Sequence, residues 1–139
     1  MKEVQTIEKK VTFQAPIEKV WNAVSNSEAI EEWFMPNNFE AKEGFKFEIQ
    51  SPFGPSVCEV LTIDPPKHLS FSWGEMGWII SFYLIDLGDS TEFTLTHSGW
   101  GKFDELIPET GETHGLVRDR MDNGWNKIVY EDLKKVAEK

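Results

Sequence analysis

The residues of this chain able to do chemistry are three histidines, His68, His97 and His114, a lone cysteine, Cys58, and a large supply of rings, 10 Phe, 6 Trp and 2 Tyr. Metal binding needs ligands at helical or turn spacing, and these histidines are scattered, with no His-x-x-x-His or Cys-x-x-Cys pair. No metal site and no cofactor is expected. Nucleophilic catalysis needs a base within hydrogen-bond reach of the nucleophile and a third group to orient it. Cys58 stands in a strand-like run with no motif around it, and no serine has a G-x-S-x-G setting. Glu31-Glu32 and Asp104-Glu105 read as solvated charge. Arg118 with Asp122, and Glu131 with Lys135, read as surface pairs four apart on a helix. No catalytic residue is therefore assigned. The residue types favour recognition of an apolar guest instead, because rings bring large apolar area but fill irregular gaps coarsely.

The candidate walls of such a pocket come from two sources. Strand-like segments supply Phe45, Phe47, Phe71, Trp73, Trp78, Ile80, Phe82, Phe93, Leu95 and His97, and the C-terminal segment supplies Val117, Met121, Trp125 and Ile128. Trp100, at the start of the connection between them, completes the set. Ligand pockets are mostly apolar with a few polar groups that orient the guest, and His97 is the polar member here. It could donate to a carbonyl or phenol, or titrate near neutral pH, or be held by a backbone or carboxylate partner as buried polar groups usually are. The same residues packed at native density would make a solid core, so the fit between sheet and helix decides whether a cavity remains.

Periodicity says how these residues are positioned. Glu92 to Trp100 alternates, with Phe93, Leu95 and His97 on one face and Thr94 and Thr96 on the other. From about Thr113 to Lys139 the period changes. Val117, Met121, Trp125, Ile128 or Val129, Leu133 and Val136 recur at three- and four-residue steps and form one helical stripe. Residues 4–13 alternate as a half-buried strand interrupted by Lys9. Pro16 opens a helix with Ile17, Val20, Trp21 and Val24 on its apolar face. Ser25-Asn26-Ser27 ends it and caps a second, short helix over about 28–33 that Pro36 stops. Five strands follow, at about 41–50, 57–63, 68–73, 78–87 and 91–97, separated by turn residues at 52–55, 64–66, 74–77 and 88–89. Phe45, Phe47 and Ile49 share one face, as do Leu69, Phe71 and Trp73. Which face of the Trp78 strand points inward is left open. Residues 100–111, with Trp100, Phe103, Leu106 and Ile107 between charges, read as a connector anchored to the core or as a lid. The pattern is that of an α+β chain: a curved antiparallel sheet of about six strands around a long C-terminal helix, with two short helices after the first strand.

Composition sets outer limits. A chain of 139 residues lies in the commonest range for one domain, and a single domain spanning residues 1–139 is expected. The net charge of −10 argues against nucleic acid and anionic membrane and leaves a neutral ligand or a basic partner. One cysteine forms no internal disulfide, and MKEVQTIEKK holds no apolar leader, so a cytoplasmic setting without membrane insertion is expected.

Taken in order, VTFQAPIEKVWNAVSN with AIEEWFMP, EGFKFEI, VLTIDPPKHLSFSWG, TEFTLTHSGW and NGWNKIVYEDLKKV resemble the activator of Hsp90 ATPase homologue 1-like branch of the START-like, Bet v 1-like superfamily. The resemblance spans nearly the whole chain and implies a helix-grip fold, in which the sheet curls around the C-terminal helix. Members of the superfamily bind lipids, sterols, polyketides or plant aromatics, and some are cyclases or hydrolases, so fold does not settle function. The eponymous activators carry a further N-terminal domain for which 139 residues leave no room. The first expectation is thus a small hydrophobic molecule held between sheet and C-terminal helix. The second is an interaction module whose partner is a chaperone or other protein, and the third a polyketide cyclase- or hydrolase-like enzyme.

Overall fold

Alternating side chains build one sheet, and the helices close over its inner face. The computed structural model describes residues 5–51, 54–74, 77–102, 104–107 and 111–139. Its strands are β1 (Ile7–Phe13), β2 (Lys46–Ser51), β3 (Gly54–Asp64), β4 (His68–Trp73), β5 (Trp78–Asp86) and β6 (Thr91–Ser98). The order is β1-β6-β5-β4-β3-β2, antiparallel throughout, so β2 to β6 run as a meander and β1 pairs with the last strand. In β6, Thr91, Phe93, Leu95 and His97 are buried, while Glu92, Thr94, Thr96 and Ser98 are only half covered. In β5 the inward face is Trp78, Ile80, Phe82 and Leu84, and Ile79, Tyr83 and Ile85 stand in solvent.

Two strands depart from their expected extents. Regular β2 begins at Lys46, not near Ala41, because a turn precedes it: Gly44 takes φ +81°, and Phe45 N–H donates to Lys42 O at 3.1 Å. Phe45 therefore lies at the margin of the core, whereas Phe47 and Ile49 are inside it. In β3 the register against β4 slips between Val60 and Thr62. Such a bulge bends the strand and turns Leu61 out to solvent.

Local chemistry starts and stops the helices as the residue types require. Pro16 leads into α1 (Ile17–Ser25), and Asn26 Oδ1 accepts from Ala29 N–H at 3.1 Å to cap α2 (Ser27–Trp33). Trp33 Nε1 donates to Ala23 O at 2.8 Å, which ties the two helices into one layer. Thr113 caps α3 (His114–Lys127), which continues through a π-helical stretch (Ile128–Leu133) into α4 (Lys134–Ala137).

The π stretch corrects the expected stripe. Val117, Trp125, Val129, Leu133 and Ala137 are buried, and Met121, Ile128 and Val136 lie at its edge. From Trp125 onward the buried positions are four apart. In an α-helix each such step overshoots a full turn by about 40°. The wider i→i+5 turns absorb that drift and keep one edge on the sheet. The same change of pitch parts Glu131 from Lys135, which form no ion pair among the described residues. Lys127 pairs instead with Asp132, five residues on, at 3.2 Å, and Lys134 with Glu138 at 2.6 Å.

Both sheet edges are occupied, which fixes where the helices sit. At β1, Tyr130 Oη donates to Lys10 O at 3.5 Å, and Arg118 Nε donates to the carbonyl of Gln5 just before the strand at 3.2 Å. At β2, Gln50 N–H donates to Pro36 O and Glu48 N–H to Asn38 Oδ1. Covered edges do not template further strands. Lys9, which interrupts the alternation of β1, points inward after all and meets Asp122 of α3 at 2.8 Å. A buried ammonium is tolerable only with such a partner. Among the described residues no helix is long and apolar enough to cross a membrane.

Candidate functional site

Where β4, β5 and β6 end beneath α3, the side chains form a cage of rings around one imidazole. His97 is fully buried. Its ring lies 4.6 Å from that of Trp100, 4.8 Å from Trp78 and 6.0 Å from Trp73, centroid to centroid. Trp125 Nε1 donates to His97 Nδ1 at 3.0 Å, across from helix to sheet. Since Nδ1 accepts, the neutral ring carries its proton on Nε2. That Nε2–H has no partner among the described residues, and neither has Trp78 Nε1–H, although both are buried.

His97 does not titrate near neutrality. Burial, with a smaller push from the Arg118 guanidinium, lowers its pKa from 6.5 to about 3. The partner that holds it is an indole, not the backbone or carboxylate partner a buried imidazole usually finds. The other histidines are elsewhere. His68 stacks on Tyr83 at 4.4 Å on the outer side of the sheet, and His114 Nδ1 accepts from Gly101 N–H at 3.0 Å while its Nε2 stands 3.6 Å from Glu105. Among the described residues no three His, Cys, Asp or Glu side chains group as a metal site. Burial pushes the Cys58 thiol up to about 12, so it stays protonated and is no nucleophile at neutral pH.

A second group of rings lies across the sheet, beneath α2. Phe34, the residue after α2, stacks on Trp33 at 5.5 Å and on Trp125 at 5.4 Å, and meets Trp73 edge-on at 5.6 Å. It is only partly buried, and it walls a cavity of about 10 Å3 together with Ile30, Trp33, Phe39, Phe47 and Phe71. That volume is at the lower limit for one water and far below the several hundred Å3 of a typical small-molecule pocket.

The expected wall residues therefore divide. Trp73, Trp78, His97, Trp100 and Trp125 form the cage. Phe47, Phe71 and Phe82 line the cavity under α2. Ile80, Phe93, Leu95 and Val117 are buried among other core residues, while Phe45, Met121 and Ile128 sit at the margin. Trp125 packs its indole against Phe34 and Trp73 beneath the C-terminal helix, and the cavity of about 10 Å3 lies under the short helix. Of the expected anchors in the 100–111 connection, Ile107 is buried and Trp100 half-buried, Leu106 is exposed, and Phe103 falls outside the described residues.

Sequence reasoning missed Val24, Ile30, Trp33, Phe34 and Phe39 as site residues. Ile30 and Trp33 carried a signal in the α2 stripe. Phe34 carried none: it follows Trp33 directly, off the helical face, and turns inward only because its backbone leaves the helix at φ −128°, ψ −96°.

Comparison with known proteins matches residues 14–138 to the family model described as activator of Hsp90 ATPase homolog 1-like protein. The solution structure of Bacillus halodurans protein BH1534 is similar at a TM-score of 0.92, with 44% identity over 99% of this chain and 100% of that one. The crystal structure of Mesorhizobium loti protein MLL2253 is similar at a TM-score of 0.79, with 26% identity over 95% of this chain and 96% of that one. A Plasmodium falciparum HSP90 activator shares the fold at a TM-score of 0.73 and 18% identity, over 96% of both chains. Comparison with curated proteins gave no match.

Proposed function

Because the chain belongs to the activator of Hsp90 ATPase homologue 1-like family, we propose that its helix-grip fold holds a small, ring-bearing hydrophobic molecule between the sheet and its covering helices. The guest enters where Phe34 now sits. One observation carries this reading: the cavity under α2 is walled almost wholly by apolar side chains, and one of its walls is a half-exposed ring rather than a locked core residue. Phe34 belongs to no helix or strand, so its displacement breaks no ladder. It would release a phenyl-sized volume continuous with the existing void. Rings of Phe39, Phe47 and Phe71 on one side and Trp73 and Trp125 on the other would then face a flat guest.

The expected result is that Phe34→Ala folds, enlarges the cavity, and binds a benzene-sized aromatic more tightly than the parent chain by about tenfold, as apolar cavities cut into protein cores do. Thermal-shift and NMR titration with a panel of fatty acids, sterols and planar aromatics reads it out for both proteins. Silence of parent and variant across that panel would remove the carrier reading.

A second reading is a protein-contact module for a chaperone of the Hsp90 class, in keeping with the family's name. It is favoured by the outer face of β5, where Ile79, Tyr83 and Ile85 stand exposed in one row, with Leu87 exposed just beyond. Exposed apolar rows of this kind mark contact surfaces more often than chance. Stimulation of Hsp90 ATPase by the parent chain, lost in Tyr83→Glu, would decide for it. A small-molecule carrier alone has no effect in that assay.

A further inference from the structure

We propose that His97 Nε2–H and Trp78 Nε1–H are the polar anchors of the grip and recognise a hydrogen-bond acceptor on the guest, such as a carbonyl oxygen. The inference rests on the carrier reading above and adds which chemistry the guest must carry.

The donors are prepared at some cost. An unpaired N–H buried away from water is destabilising, and nearly all such groups in native proteins find partners. Among the described residues three buried ring nitrogens are unpaired; His68 Nε2 lies apart, and the other two belong to rings whose centroids are 4.8 Å apart. His97 is fully buried and Trp78 is 5% exposed. The proton state of the imidazole is set by its other nitrogen, because Trp125 Nε1–H occupies Nδ1 and leaves Nε2 as the donor. The guest would thus meet two neutral donors and no acceptor in this pair.

Trp100 covers this end of the grip, as Phe34 covers the end under α2. Of the four indoles around His97 it alone is half-exposed, and it stacks on His97 at 4.6 Å and lies against Trp78 at 4.9 Å. Its own Nε1–H donates to the His97 carbonyl at 2.9 Å and so does not use the cage. Glycines flank it on both sides. Gly99 takes φ +92°, and a Cβ added there would run into Gly77 O, so only glycine fits beside the start of β5. Because β6 ends at Ser98, the Trp100 ring leaves its slot at the cost of its hydrogen bond to the His97 carbonyl and without breaking the β6 ladder.

A matched pair of probes tests the inference. Acetophenone and α-methylstyrene have nearly the same shape but differ in having C=O or C=CH2. The intact chain is expected to bind acetophenone about tenfold more tightly, because only that probe pairs the waiting donors. In 15N-labelled protein the Trp78 indole N–H resonance is expected to move downfield with acetophenone alone. Trp78→Phe keeps a ring and removes a donor, so the preference is expected to fall at least threefold. Its melting temperature should hold or rise, since an unpaired group is gone. A drop in melting temperature with the preference intact would show that the indole serves the fold, and would overturn the inference. Equal affinity of the intact chain for the two probes would overturn it and leave the carrier reading standing. Failure of the intact chain to bind either probe would overturn the inference, while the carrier reading falls only with silence across the wider panel.

Discussion

Trp125→Ala is expected to lower the unfolding free energy by about 4 kcal/mol, at the upper range for removing a large buried side chain, and the melting temperature by roughly 12–16 °C. Trp125 is 1% exposed and lies between helix and sheet. Its ring stacks on Phe34 and meets Trp73 at 6.3 Å, and its indole holds His97. Alanine would take away all three contacts at once. Trp125→Phe separates packing from hydrogen bonding. It keeps most of the ring and leaves His97 Nδ1 without its donor, so a loss of about 1–3 kcal/mol is expected. Chemical unfolding of the three proteins measures both. An alanine variant within about 1 kcal/mol of the parent would mean that α3 does not grip the sheet through this residue.

The second large effect concerns pH. In the unfolded chain His97 titrates near 6.5, and in the folded chain near 3. As pH falls through that window the unfolded chain takes up a proton that the native state refuses. The stability associated with neutral His97 is therefore complete above about pH 6.5 and is lost on acidification, by about 1.4 kcal/mol per pH unit, until pH 3. His97→Gln retains an acceptor and a donor but does not titrate. Between pH 7 and 4.5 the parent is expected to lose roughly 3 kcal/mol more than this variant. Comparing the two removes the contribution of the many carboxylates, which both proteins share. Parallel stability curves would contradict the buried, neutral imidazole. Above pH 7 the two curves should run together.

Much of the architecture was legible because it follows from local rules. Alternation in β6 placed Phe93, Leu95 and His97 on the inner face, Pro16 marked the start of α1, and the Ser25-Asn26-Ser27 run marked that of α2 through capping chemistry. Failures occurred where a neighbour overrode the local pattern. Lys9 broke the alternation of β1 on paper but is buried, because Asp122 arrives from a segment more than a hundred residues away. Ile128 lost its place on the stripe to Val129 because a π stretch changed the pitch, and no propensity announces that change.

The candidate site was half legible for the same reason. Strand face identified Trp73 and His97 as inward residues and the helical stripe Trp125, while the face of the Trp78 strand was left open. Their being inward does not say whether they enclose a guest or one another. That depends on distances of an ångström or less between layers.

By itself the sequence determined the α+β helix-grip order, the inward face of most strands and the aromatic nature of the interior. Each depends on residue type and on periods of two or 3.6 within a single segment. Only the tertiary structure decided that Trp125 packs against Phe34 and holds His97, that Phe34 walls the small cavity under the short helix, and that the Nε2–H of His97 is unpaired among the described residues. These outcomes depend on how side chains from distant segments meet, and packing at crystal-like density turns small differences in that meeting into an open or a closed interior.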